Sequence, residues 1–170
     1  MTGPSASFRQ GLIELMPRLR GFARFLSRDS AAADDLVQEA LLRALGAEAT
    51  WQPGSDLAAW IFRILRNAFL EEQRRRRRRG MTVVSHDAGP GTEAFEPRVE
   101  ASQHAASELN ALDDAIRALP IGQREALLLV SAQGFSVEEA AAICGVPEGT
   151  IKARISRARA ILQRRFSDQD

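Results

Sequence analysis

Residues 136–166 read SVEEAAAICGVPEGTIKARISRARAILQRRF, and this stretch decides the fold. Ser136, with Glu139 three residues on, forms a capping box that gives a first helix a defined start. Gly145 supplies the positive φ that a helix C-terminus needs, and Pro147 suits the first turn of the next helix. The spacing therefore predicts a short helix, a tight turn at Cys144-Gly145-Val146-Pro147, and a longer basic helix. That is a helix-turn-helix, whose second helix enters a DNA major groove.

The second helix carries Ile151, Ile155, Ala158 and Leu162 at spacings of four, three and four, an apolar stripe that faces a core. Thr150, Lys152, Ala153, Ser156, Arg157 and Arg159 fall on the opposite face. Between Gly149 and Phe166 stand six basic residues (Lys152, Arg154, Arg157, Arg159, Arg164, Arg165) and no acid. A helix that only needs solubility mixes both signs, so this one suits a polyanion. An ordinary helical hairpin with a solvated face is the bland alternative, and the turn chemistry disfavours it.

Working outward, the 170 residues suffice for one large or two small domains. The net charge of +1 says little, but its distribution is informative. Residues 1–80 hold 14 Arg against nine acids, residues 81–112 one Arg against five acids, and residues 113–170 eight of each sign. The single cysteine, Cys144, excludes an internal disulfide or a multi-cysteine zinc site and reads as a buried structural thiol. His86 and His104 both lie in the acidic middle, so no catalytic or metal constellation assembles, and no cofactor is expected. With no signal peptide and no apolar run of membrane-spanning length, the expectation is a soluble, cytoplasmic protein.

Three amphipathic helices are expected before the middle segment. The first, from Phe8 to Leu26, carries Leu12, Leu15, Leu19 and Phe22; the second, from about Ala31 to Leu45, carries Leu36, Val37, Ala40, Leu41 and Ala44. The third starts near Asp56, with Leu57, Trp60, Ile61, Ile64, Leu65 and Ala68 on its stripe, and ends in six arginines, 74–79. Gly89-Pro90-Gly91 and scattered acids mark a flexible acidic linker over 81–107. A second bundle follows, with Leu109, Leu112, Ile116 and Leu119, then a helix over residues 123–133. The fold class is all-α: two small helical bundles, residues 8–80 and 108–167, joined by that linker.

The arginine run is too repulsive to serve stability, and a bare basic run is often only a disordered tail or a localisation tag. Because it continues a helix bearing Trp60, Phe62, Arg63, Arg66 and Asn67, it suits a single strand, whose phosphates need charge and whose open bases need flat surfaces. Trp60 reads as core rather than as a base platform, and Trp51, in its Gly-Pro loop, reads as either. Asp34, Asp35, Gln38, Glu39 and Arg43 form an acidic face that is either a protein-docking patch or merely solvated.

At these residues the chain resembles an extracytoplasmic-function (ECF) sigma factor of bacterial RNA polymerase. The matching segments are DDLVQEALLRA at 34–44, AWIFRILRN at 59–67, Leu119-Pro120 with Gln123-Arg124-Glu125-Ala126, and GTIKARISRAR at 149–159. The resemblance implies that residues 8–80 act as sigma region 2, which docks on the clamp of the largest polymerase subunit and melts the −10 element. It makes Asp34, Asp35, Gln38, Glu39, Leu42 and Arg43 the polymerase-docking residues. Trp51, Arg63, Arg66, Asn67, Arg74, Arg75 and Arg76 become the −10 and strand contacts. Residues 108–167 would be region 4, leaning on the flap of the second-largest subunit and reading the −35 element through Thr150, Lys152, Ala153, Arg154, Ser156, Arg157 and Arg159. WQPG at 51–54, EALLLV at 125–130 and GFSVEEAAAICG at 134–145 look like the general-stress-response subgroup of alphaproteobacteria, whose members a small anti-sigma protein restrains. An ECF factor of another regulon is the alternative. A dimeric repressor leaves the acidic and arginine-ended helices without a role, a sigma mimic needs no basic recognition face, and an enzyme reading finds no nucleophile-base pair.

Overall fold

The computed structural model describes residues 5–27, 29–80 and 103–167. Helix α1, Ala6–Leu26, is capped by Ser5, whose hydroxyl accepts from the Phe8 N–H at 3.3 Å. Helix α2, Ser30–Gly46, starts at Asp29, whose carboxylate accepts from the Ala32 N–H at 2.7 Å. A single 3-10 turn, Glu48–Thr50, sets Trp51 before helix α3, Leu57–Arg78. Asp56 caps α3 by accepting from the amides of Ala58 and Ala59. Arginines 74–78 thus lie inside a helix rather than in a tail, and Arg79 is its C-cap. Cations at that end are favoured by the helix dipole.

Helix α4, Gln103–Arg117, begins earlier than the expected second bundle; the remainder of the expected linker, 81–102, lies outside the described residues. Helix α5, Ile121–Leu127, runs into a π-helical turn, Leu128–Ala132, where sequence reading expects one continuous helix. The wide turn ends at Gly134 (φ +77°), and the Phe135 N–H donates to the Leu129 carbonyl at 3.0 Å. Such turns re-aim a helix end, and here Phe135 is buried with the first bundle. Helix α6, Val137–Cys144, carries the expected capping box in full, and Gly145 takes the left-handed conformation (φ 66°). Helix α7, Glu148–Ser167, follows, with Ile151, Ile155 and Ala158 buried.

The two bundles share one continuous core. Phe62 on α3 lies 5.3 Å from Phe22 and 5.1 Å, edge-on, from Phe135 of the second bundle. The Arg18 guanidinium sits 5.5 Å from the Phe62 ring and 5.4 Å from that of Phe135, and donates to the Gln133 carbonyl at 2.7 Å. Arg124 of α5 donates to the Phe25 carbonyl at 2.7 Å and also to those of Arg117 and Leu119. These contacts satisfy carbonyls at the C-terminal ends of α1 and α4 that helix geometry leaves orphaned. Among the described residues no helix is long and apolar enough to cross a membrane.

Candidate nucleic-acid and polymerase interfaces

The sequence-derived site residues distribute over three faces. On α2, Asp34, Asp35, Gln38, Glu39 and Leu42 are all exposed, while Ala33, Leu36, Val37, Ala40 and Ala44 are buried. Leu42 is 67% exposed, a large apolar side chain held in water beside acids. Arg43 is drawn inward, bonded to Glu39 at 2.7 Å and to Glu71 of α3 at 2.8 Å. Its hydrogen bond holds the Glu71 carboxyl below the usual carboxylate range, against partial burial. Between α2 and α3 lies an open cleft of about 470 Å³, floored by Leu36 and Phe69 and rimmed by Asp35, Glu39, Glu72 and Arg76. Leu45, one turn further on, is also partly exposed at 38%, so the apolar part of this face extends past Leu42. An exposed leucine amid polar groups, next to a cleft, is the makeup of a docking face.

On α3, Arg63, Asn67 and Arg74 are exposed at spacings of four and seven, which places them on one face. Arg75 is exposed, 4.0 Å from Glu71, and Arg76 is half-buried, bonded to Glu72 at 2.9 Å. Two expectations need correction here. Phe62, read from the sequence as a flat surface beside the basic residues, is fully buried because the helix stripe passes through it. Arg66 turns away from solvent: its Nε and Nη2 donate to both oxygens of Glu125 at 2.9 and 3.0 Å, and its side chain is 12% exposed. Trp51 and Trp60 both lean on Phe8, at 5.4 and 5.9 Å, and are partly buried. The Trp51 indole Nε1 is buried and bonds to no acceptor among the described residues.

On α7, Lys152, Ser156, Arg157 and Arg159 are exposed, and Thr150 and Ala153 are half-buried beside them. Lys152 lies 3.8 Å from Glu148, whereas Arg157 and Arg159 make no ion pair among the described residues. Arg154, which the family resemblance alone placed among the −35 contacts, is half-buried. Its Nη1 donates to Glu125 at 3.1 Å, and its guanidinium lies over Gly122, where a Cβ would sit 3.1 Å from Arg154 Cζ.

Glu125 is therefore a hub that sequence reading treats only as part of a family motif. It is 2% exposed, the buried charged residue at the seam, and holds one arginine from each bundle. Its one sequence signal is a carboxylate directly before the apolar run over 126–130, a place where a charge survives burial only with partners. Cys144 is buried nearby, and its thiol is pushed up to about 12, first by burial and then by the Glu125 charge. It is expected to resist a disulfide reagent at pH 8 while the chain is folded and to react fully in denaturant, because only thiolate attacks. A free-thiol titration with and without guanidinium checks this; fast labelling of the folded chain would contradict the burial. Among the described residues, no group of three or more His, Cys, Asp or Glu is placed to hold a metal ion.

An all-α chain with a helix-turn-helix at one end and an arginine-rich helix behind an acidic face has the layout of a transcription factor that works on polymerase. Residues 12–79 match the model of sigma-70 region 2, and residues 109–162 that of sigma-70 region 4. The chain is 48% identical over 156 residues to the ECF RNA polymerase sigma factor EcfG of Rhodopseudomonas palustris, covering 92% of this chain and 83% of that protein. It is 31% identical to SigF of Caulobacter vibrioides, covering 100% and 91%. A solved structure of the sigma factor RpoE with the anti-sigma factor NepR from Bartonella quintana is similar at a TM-score of 0.81 and 39% identity, covering 96% of this chain and 98% of that one. The chain belongs to the ECF RNA polymerase sigma factors.

Proposed function

We propose that this chain directs core RNA polymerase to stress-response promoters and that an anti-sigma protein holds it in check. In this reading residues 8–80 dock on the clamp through Asp34, Asp35, Gln38, Glu39, Leu42 and Arg43. Trp51, Arg63, Arg66, Asn67, Arg74, Arg75 and Arg76 grip the opened −10 strand. Residues 108–167 lean on the flap and read the −35 element with Thr150, Lys152, Ala153, Arg154, Ser156, Arg157 and Arg159. The site of action is the cytoplasm, where the polymerase is.

The observation that carries this reading is the separation of surfaces: an acidic face with a bare leucine on α2, and acid-poor basic faces on α3 and α7. Charge-charge contacts to phosphates drive DNA binding and fade with salt, so each basic helix by itself makes only a limited set of contacts and polymerase supplies the rest. Anti-sigma control is supported by the similarity to RpoE, which was solved with NepR, and to CnrH, solved with the cytosolic domain of CnrY (TM-score 0.70, 26% identity, covering 99% and 92%). The stress role is supported by the 48% identity to EcfG.

Footprinting tests the proposal. In ~0.15 M salt the chain alone is expected to protect no promoter sequence, and the chain with core polymerase to protect two blocks around −35 and −10. Tight, sequence-specific protection by the isolated chain would contradict it.

A further inference from the structure

We propose that Glu125 is an internal stand-in for DNA phosphate: in the free chain its carboxylate clasps Arg66 of α3 and Arg154 of α7, closing the bundles and withholding both arginines from DNA. The inference rests on the proposed role of these two arginines as DNA contacts. It goes beyond that role by making their masking a built-in state of the chain.

The geometry of the clasp is that of anion recognition. Arg66 presents its guanidinium fork to both carboxylate oxygens, at 2.9 and 3.0 Å, as a guanidinium does to phosphate. Arg154 adds a third bond at 3.1 Å to the same Oε1 that receives Arg66 Nη2. Burial pulls the Arg66 guanidinium down, but its bond and attraction to Glu125 outweigh this and hold it above its ordinary value. Gly122 makes room for the Arg154 head; any side chain there would crowd it.

The charges explain why such a clasp opens. Two guanidiniums share one carboxylate, so a positive charge remains in a seam where Glu125 is 2% and Arg66 12% exposed. Desolvation largely cancels the attraction in a buried pair, so the clasp adds little net stability, but removing its carboxylate leaves two unpaired guanidiniums in the seam and drives it open. Opened onto DNA, each arginine gains a phosphate of its own. The seam is also incompletely filled, with a cleft of about 220 Å³ where Trp60 and Arg63 face Ala142 and Ile143. Meanwhile Arg63, Asn67, Lys152 and Arg157 stay exposed on the closed form, so DNA has a foothold before the clasp releases.

Small-angle scattering and binding of a fluorescent single-stranded DNA to the free chain test the clasp together, with no polymerase present. The wild-type radius of gyration is expected near the compact value, about 16 Å for 170 residues. Glu125→Gln is expected to raise it by several ångströms and to tighten DNA binding on the order of tenfold, the gain when a mostly closed population is released. Arg18→Met, which keeps the stem but removes the guanidinium that bridges Phe62, Phe135 and Gln133, should change both in the same direction. If Glu125→Gln loses its helical circular dichroism, Arg66→Lys decides: a lysine cannot fork onto both Glu125 oxygens, so the radius is expected to rise with the charge kept, and an unchanged radius overturns the clasp. An extended wild type, or variants that remain compact with unchanged DNA affinity, would overturn the proposal. Failure of polymerase-dependent footprinting, by contrast, would remove the promoter role and leave the scattering result standing.

Discussion

Replacing Leu42 with aspartate is expected to lower the affinity for core RNA polymerase by about 30- to 1,000-fold while leaving the fold unchanged. The basis is that Leu42 is 67% exposed and no core neighbour depends on it, so its removal leaves no cavity. In the proposed holoenzyme Leu42, flanked by Asp35, Gln38 and Glu39, is desolvated against the clamp, where truncating a central residue costs about 2–4 kcal/mol and a new charge adds desolvation and repulsion. Charge reversal at Asp35 and Glu39 should weaken binding less and in a salt-dependent way, because rim charges govern encounter more than residence. Surface immobilisation of the variant with titrated core polymerase reads the loss, and thermal unfolding confirms the intact fold. A Leu42→Asp variant that binds core normally would move the docking face elsewhere.

The second large effect is on stability. Phe62→Ala is expected to cost about 3–5 kcal/mol, because it empties a fully buried site whose ring touches Phe22 and Phe135. For a chain of this size that corresponds to a fall in Tm of roughly 6–20 °C, read by calorimetry. A phenylalanine serving as an exposed base platform would instead change stability by about 0.5 kcal/mol or less on truncation. The two outcomes do not overlap, so one melting curve decides whether this aromatic belongs to the core or to the DNA face.

The helix-turn-helix was legible because each of its signals is local. Ser136, Glu139, Gly145 and Pro147 act within a turn of themselves, and the Ile151, Ile155, Ala158 stripe needs only its own period. The acidic face of α2 was legible for the same reason. Phe62 misled because a basic-aromatic composition does not say which side of a helix each residue takes, whereas Ile61, Phe62 and Leu65 together define a wider buried stripe. The roles of Arg66 and Arg154 follow from the family resemblance, which says nothing of their packing. Their inward turn depends on Glu125, which lies 59 residues from one and 29 from the other, and no sequence period connects them. The docking of the bundles is equally nonlocal. It depends on the π-helical turn at Leu128–Ala132 bringing Phe135 to Phe62, a distortion that the continuous apolar run over 126–130 conceals.

Run-off transcription with purified core polymerase on genomic fragments tests the central claim most directly. Core with the wild-type chain is expected to give discrete transcripts whose start sites share two conserved blocks upstream. Core alone, and core with Leu42→Asp at the same concentration, should give none. Discrete transcripts that do not depend on the chain, or no transcripts although the chain binds core, would contradict its assignment as the promoter-specifying subunit.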